Sequence, residues 1–274
     1  MNFTTYQPHA ALRPYLLNYW TLSAPAGSFL QSTKLLPDGS IQLILHLGNQ
    51  YLQKEGDALV PQGNCFVHGQ IPTAIQVMAE GKVDILAVKF TPTGWSAFSR
   101  VSANALTGYR VFLTDLWKET GARLHDDLQG AKSTEARLKH LDSFFLQNLS
   151  PIKDPGILAS VQQIVQQKGN IRVPVLAASI HRTQRTLERQ YAQQVGLSPK
   201  QLSRIVRVQQ VIKAKLHAPE KALAELAFHL GYFDPAHLSR EFRKTTGFAP
   251  QTFFELHSDV YRGIHKSAQQ PVVR

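Results

Sequence analysis

The chain has 274 residues, 43% hydrophobic and 9% aromatic, enough for two domains of ordinary globular composition. No stretch is long and apolar enough for a membrane span, the start MNFTTYQPHAALRPYLL lacks a secretory pattern, and the single Cys65 allows no internal disulfide. The net charge of +11 is lopsided: residues 1–150 hold 12 Lys and Arg against 11 Asp and Glu, and residues 151–274 hold 18 against 8. A cytoplasmic protein without membrane association is expected, with Cys65 as a small buried side chain. A basic half joined to a neutral one suggests a polyanion partner, nucleic acid first; a solvated basic face is the plainer alternative. No CxxC or HxxxH spacing, activated-serine elbow or phosphate-binding glycine loop occurs, so no metal, cofactor or catalytic residue is expected.

In chain order, SIQLILHL (40–47), AIQVMA (74–79) and VDILAVKF (83–90) are rich in branched residues, bounded by turn signals, and predict strands. Asp38-Gly39 reads as a turn. A helix is predicted from about Leu113 to Leu128, and another carries Leu138, Leu141, Phe144, Phe145 and Leu149 on one face. His46 and His68 lack a third metal ligand and read as core or loop histidines. Trp20, Tyr51, Phe66 and Trp95 read as core, with a ligand pocket as the alternative. The segment SPIKDPG (150–156) marks a boundary. The fold class is therefore an α+β N-terminal domain at 1–150, with sandwich or barrel-like strands followed by helices, then an all-α domain at 155–257.

The second half repeats itself. LERQYAQQVGLSPK (187–200) aligns with LSREFRKTTGFAPQ (238–251) at an offset of 51, while Leu176-Ala177 and Ile180 align with Leu226-Ala227 and Leu230 at an offset of 50. One residue is thus inserted between the paired helices of the second copy. There Leu223, Leu226, Ala227 and Leu230 make an apolar helix face. Gly231 can end that helix in the left-handed region, Asp234 can cap the next, and Pro235 suits its first turn. Leu238 and Phe242 then point inward. The first copy has His181 in place of Gly231 and Thr183 as cap, with Leu187 and Tyr191 inward. Ile157, Leu158, Val161, Ile164 and Val165 mark a supporting helix that stops near Gly169. A helix from Ser198-Pro199 to about Leu216 joins the units. Each unit is a helix-turn-helix whose second helix, about 184–194 or 235–245, is open and basic.

GYFDPAHLSREFRKTTGFAPQTF (231–253) resembles the second helix-turn-helix signature of AraC/XylS-type transcriptional regulators, and the doubled unit resembles their DNA-binding module over about 155–257. LLPDGSIQLILHLG (35–48) and ILAVKFTPTGWSAF (85–98) are similar to an α+β domain found ahead of such modules. The resemblance implies double-stranded DNA as partner, with RNA polymerase, a small-molecule effector and a second copy of the chain through the N-terminal domain as further partners. Carried over by position, Arg185, Glu188 and Arg189, then Pro235, Ala236, Ser239 and Arg240, are the candidate base readers. Arg189 and Arg240 can each pair bidentately with guanine, or hold a phosphate, and Arg240 can instead pair with an acid on its own helix. Arg185 suits a base or a phosphate. Glu188 can accept from cytosine or orient Arg185 or Arg189. Thr183, Lys200, Arg204, Arg207, His237, Arg243 and Lys244 are the candidate backbone contacts. Pro235 and Ala236 replace longer polar groups, which implies thinner direct reading in the second unit. Two rival functions remain: an alkyl-transfer repair enzyme acting through Cys65, and a sequence-neutral architectural binder.

Overall fold

The computed structural model describes residues 1–27, 32–150 and 154–257. Residues 151–153 of the expected boundary segment and the polar tail beyond Gly263 lie outside the described residues. The N-terminal half contains β1 (Asn2–Tyr6), β2 (Leu16–Ala24), β3 (Thr33–Leu35), β4 (Gln42–His46), β5 (Tyr51–Glu55), β6 (Ala58–Pro61), β7 (Cys65–His68), β8 (Ile75–Ala79), β9 (Val83–Phe90), α1 (Ala103–Leu106), β10 (Arg110–Phe112), α2 (Leu113–Gly130) and α3 (Thr134–Gln147). Two antiparallel sheets form, ordered β1-β2-β9-β4-β7-β10 and β3-β8-β5-β6.

The period of two along each strand builds three layers. Leu86, Val88 and Phe90 of β9 face one way, with Leu43 and Leu45 of β4 and Val67 of β7, against Leu124, Leu128, Leu138, Leu141 and Phe145 of α2 and α3. Val83, Ile85 and Ala87 face the other way, with Leu22 and Ala24 of β2, against Tyr51 and Val77 of the smaller sheet. A register shift between Leu16 and Asn18 lets Leu16 and Tyr19 share the helix side although they are an odd number apart.

Two expectations need correction here. The helix over 113–128 is broken: Lys118 has φ 52°, ψ −128°, and α2 is two pieces across a kink. Trp117, next to the bend, is held in the core. Its Nε1 donates to Phe98 O (3.0 Å), and its ring lies against Trp95 and Phe144. Leu149, expected on the helix face, lies beyond the end of α3, yet still packs against the same core.

The C-terminal half is helical throughout its described residues: α4 (Pro155–Gln166), α5 (Val173–Ser179), α6 (Gln184–Gln194), α7 (Pro199–His217), α8 (Leu223–His229) and α9 (Pro235–Thr246), with residues 250–257 also helical. Two clusters, one per repeat, share α7: Leu202 and Ile205 join Leu187 and Tyr191, while Val208, Val211 and Ile212 join Leu238 and Phe242. A capping box at Ser198 and Gln201 starts α7. Among the described residues, no helix is long and apolar enough to cross a membrane.

The halves touch at the C-terminal ends of α6 and α9. Thr107 Oγ1 donates to Gly196 O (2.7 Å) and Ser102 Oγ to Gln193 O (3.3 Å). Ala74 N donates to Thr245 O (3.0 Å), and Lys34 Nζ donates to Gly247 O (3.2 Å) and lies over the Phe248 ring. Gln209 of α7 reaches Pro37 O (2.6 Å). Apart from the bond to Pro37 O, these ties use carbonyls at or just beyond the helix ends.

Candidate DNA interface

Each repeat builds its second helix by the same local rules. After α5, Arg182 N bonds Ala177 O; after α8, Tyr232 N bonds Ala227 O. Both are the closing bond of a Schellman turn. The pivot residue is left-handed in each: His181 at φ 54° and Gly231 at φ 75°. His181 is thus where the sequence aligns it, but without glycine's freedom. His181→Gly is expected to raise stability by about 1 kcal/mol. Urea unfolding checks this; no gain would mean that contacts of the imidazole offset the strain. The inserted residue lies between pivot and cap: two steps from His181 to Thr183, three from Gly231 to Asp234.

Thr183 Oγ1 accepts from Thr186 N (3.2 Å) and Asp234 Oδ1 accepts from His237 N, so both reading helices are capped as expected. Leu187 and Tyr191, and Leu238 and Phe242, are buried. Tyr191 Oη and Ser160 Oγ share a hydrogen bond of 2.9 Å, which ties α6 to α4.

Arg185, Glu188 and Arg189 of α6 and Ala236, Ser239 and Arg240 of α9 are exposed together on the outer faces, with Pro235 half-buried at the start of α9. None of the interdomain bonds above involves these side chains. Lys200, Arg243 and Lys244 are exposed, and Arg204 is half-buried. Glu188 does not pair with Arg185 or Arg189; its Oε1 accepts from Gln184 Nε2 (3.2 Å), four residues back. The Ser239 hydroxyl donates to Pro235 O (2.9 Å), leaving its oxygen as an acceptor.

Two expected backbone contacts are turned inward. Arg207 grips Glu241 of α9 with both fork ends, Nε to Oε2 at 3.0 Å and Nη2 to Oε1 at 2.8 Å. The two side chains are 18% and 19% exposed, and the guanidinium lies over Tyr232. Arg207 therefore locks α7 to α9 instead of facing a phosphate. His237 packs edge-on against Tyr232, with Nε2 3.6 Å from Glu241. Phe233 had no role in the sequence reading, yet its ring is 86% exposed beside the cap of α9. No periodicity marks it, because it lies in the turn.

The second feature lies between the sheets. A cavity of about 200 Å³ is lined by Trp20, Ile44, His46, Tyr51, Phe66 and His68, among others. Trp95, by contrast, is wholly core. Burial pulls the His46 imidazole down to about 4, against a smaller upward pull from Gln62, and lowers His68 as well. Among the described residues no group of three metal-binding side chains occurs. Cys65 faces the helix layer, and burial pushes its thiol up to about 12.

Residues 176–255 match the family described as "Helix-turn-helix domain", and residues 4–112 match "Domain of unknown function (DUF6597)". No curated protein sequence matches the chain. Among solved structures, ToxT from Vibrio cholerae is similar in fold, with a TM-score of 0.51, 10% identity, and 86% of this chain and 98% of that one covered. A second structure of ToxT, from Vibrio cholerae O395, has a TM-score of 0.49 at 11% identity, covering 86% and 97%.

Proposed function

From the premise that the C-terminal half is an AraC-type helix-turn-helix module behind a DUF6597 domain, we propose that the protein is a sequence-specific transcription regulator. Its two reading helices, α6 and α9, enter successive major-groove segments of one duplex. The observation that carries this reading is the pair of capped helices with exposed basic faces on a single strut. The 19 residues of α7 span about 28 Å at the standard rise. One turn of DNA is about 34 Å, so a strut of that length suits adjacent groove segments on one face. The cavity in the N-terminal sandwich is the site for a small-molecule effector. It is largely apolar with a few convergent polar groups, the usual make-up of a ligand site.

The repair-enzyme reading is disfavoured by Cys65. A thiol pushed up to about 12 carries almost no thiolate at neutral pH and lies buried among apolar groups. The architectural reading is disfavoured by the unlike outer faces of the helices, Arg-Glu-Arg on α6 and Pro-Ala-Ser-Arg on α9.

Sites selected from random duplexes provide the test. Arg189→Ala and Arg240→Ala should each weaken a selected site about ten- to a hundredfold, while random duplex loses less than about threefold. Equal loss on both would assign the residue to the phosphates. Failure to enrich any sequence would favour the architectural reading.

A further inference from the structure

The second reading helix starts differently from the first. At the aligned offset of 51, Arg182, Gln184 and Arg185 become Phe233, Pro235 and Ala236. Three polar positions around the cap have turned apolar together. From Gly231 to Ser239 there is no Lys or Arg, while the aligned stretch 180–188 holds Arg182 and Arg185. Arg182 is tied down within the protein, 3.5 Å from Asp154. Phe233, at the same place in the second unit, is 86% exposed, and Ala236 is exposed as well.

A phosphate is a poor partner for this end of α9. The Asp234 carboxylate accepts from His237 N and takes up part of the helix-end charge that would otherwise favour an anion. Its own negative charge repels one. The major groove offers a different partner. Among the groups that base edges present there, the C5-methyl of thymine is the apolar one, and the rest are hydrogen-bond donors and acceptors. In a helix-turn-helix the N-terminal residues of the second helix are the ones that meet base edges. Arg240 is exposed four residues after Ala236 on the same face, which leaves a hydrogen-bonding group for a neighbouring base pair.

We propose that Phe233, together with Ala236, reads thymine by packing against its 5-methyl group. The second unit is then an A·T reader over its first turn, while the first unit reads by charge and hydrogen bonds. Direct reading by α9 is apolar rather than thin. The contact covers ring and methyl surface that water otherwise meets, and one methyl is worth about fourfold in affinity. Arg243 and Lys244, exposed further along α9, hold the duplex backbone against the helix. This inference rests on the reading of α9 as a helix that enters the major groove.

Replacing each thymine of a selected duplex, one at a time, by deoxyuridine tests it, because the base keeps its hydrogen-bonding edge and loses only the methyl. Binding of the full chain is followed by fluorescence anisotropy. One or two positions, clustered in one half-site, should lose about fourfold each. Phe233→Ser should shrink the loss at one of them to less than about 1.5-fold. Arg189→Ala, on the other reading helix, should leave that loss in place. The side chain at 233 is exposed, so urea unfolding of the serine variant should match the wild type. Equal affinity for thymine and deoxyuridine duplexes, or a selected site without thymine, would overturn the methyl contact and leave the DNA-binding reading standing. So would a serine variant that weakens both duplexes alike, the mark of a sugar or phosphate contact, or one that binds every duplex as the wild type does, which would give the ring to a protein partner. Enrichment of no sequence at all would overturn the proposed function, and this inference with it.

Discussion

Raising monovalent salt from about 50 to about 200 mM should lower affinity for the selected duplex about 500-fold. The size follows from counting charges that can lie on phosphates. Lys200, Arg243 and Lys244 are exposed, Arg204 is half-buried, and Arg185 stands in the first turn of α6. If these five each neutralise one phosphate, log affinity falls against log salt with a slope of about −4.5. Arg207 is excluded from the count because Glu241 already neutralises it. Filter or anisotropy titrations at four salt concentrations give the slope. Lys200→Ala and Lys244→Ala should each make it shallower by about 0.9, equally on selected and random duplex. A wild-type slope shallower than about −2 would mean that these cations are solvated surface and that the basic half does not grip a polyanion.

The contrast between Arg207 and its neighbours shows where reading a sequence stops. In the sequence Arg207 is one more cation on an amphipathic helix. Its partner Glu241 is 34 residues away and becomes a neighbour only when α9 packs on α7. Long-range partners of this kind leave no local mark. The repeat was legible for the opposite reason. The apolar face of α8, the Asp234 cap and the left-handed Gly231 are all set within a few residues, and each recurs in the first copy. Even the extra residue in the second turn could be counted from the alignment.

The N-terminal half was less legible, and its strands show why. β4, β8 and β9 are rich in branched residues and were found. β2 breaks its own period with a bulge between Leu16 and Asn18. β6 is largely exposed, so no alternation shows, and β10 has only three residues. The cavity was hidden for another reason. Trp20, Tyr51 and Phe66 have the composition of a core, and whether such residues close up or leave a space depends on the separation of two sheets. That separation is fixed by the fold as a whole.

His46 and His68 set how the N-terminal half responds to acid. Between pH 7 and pH 5 its stability should fall by about 2 kcal/mol through His46 alone, and by about 3 kcal/mol by pH 4. Burial lowers His46 from the ordinary 6.5 to about 4, so across that window the unfolded chain holds a proton that the folded one refuses. The state that binds more protons gains as pH falls, and here that state is the unfolded one. The contribution is fully present above about 6.5 and is lost as pH falls toward 4. His68 is lowered too and acts in the same direction. Tyr51 and Phe66 lie against the His46 ring and no carboxylate lines the cavity among the described residues, so the pull of Gln62 offsets only part of the burial of the new charge. All three tryptophans, Trp20, Trp95 and Trp117, lie in this half, so denaturant unfolding followed by tryptophan fluorescence reports on it directly. His46→Phe should flatten the stability profile between pH 7 and pH 5 by about 2 kcal/mol while leaving the contribution of His68 in place. A variant whose profile parallels the wild type would show that His46 takes up its proton inside the folded sandwich, with room or water enough to carry the charge.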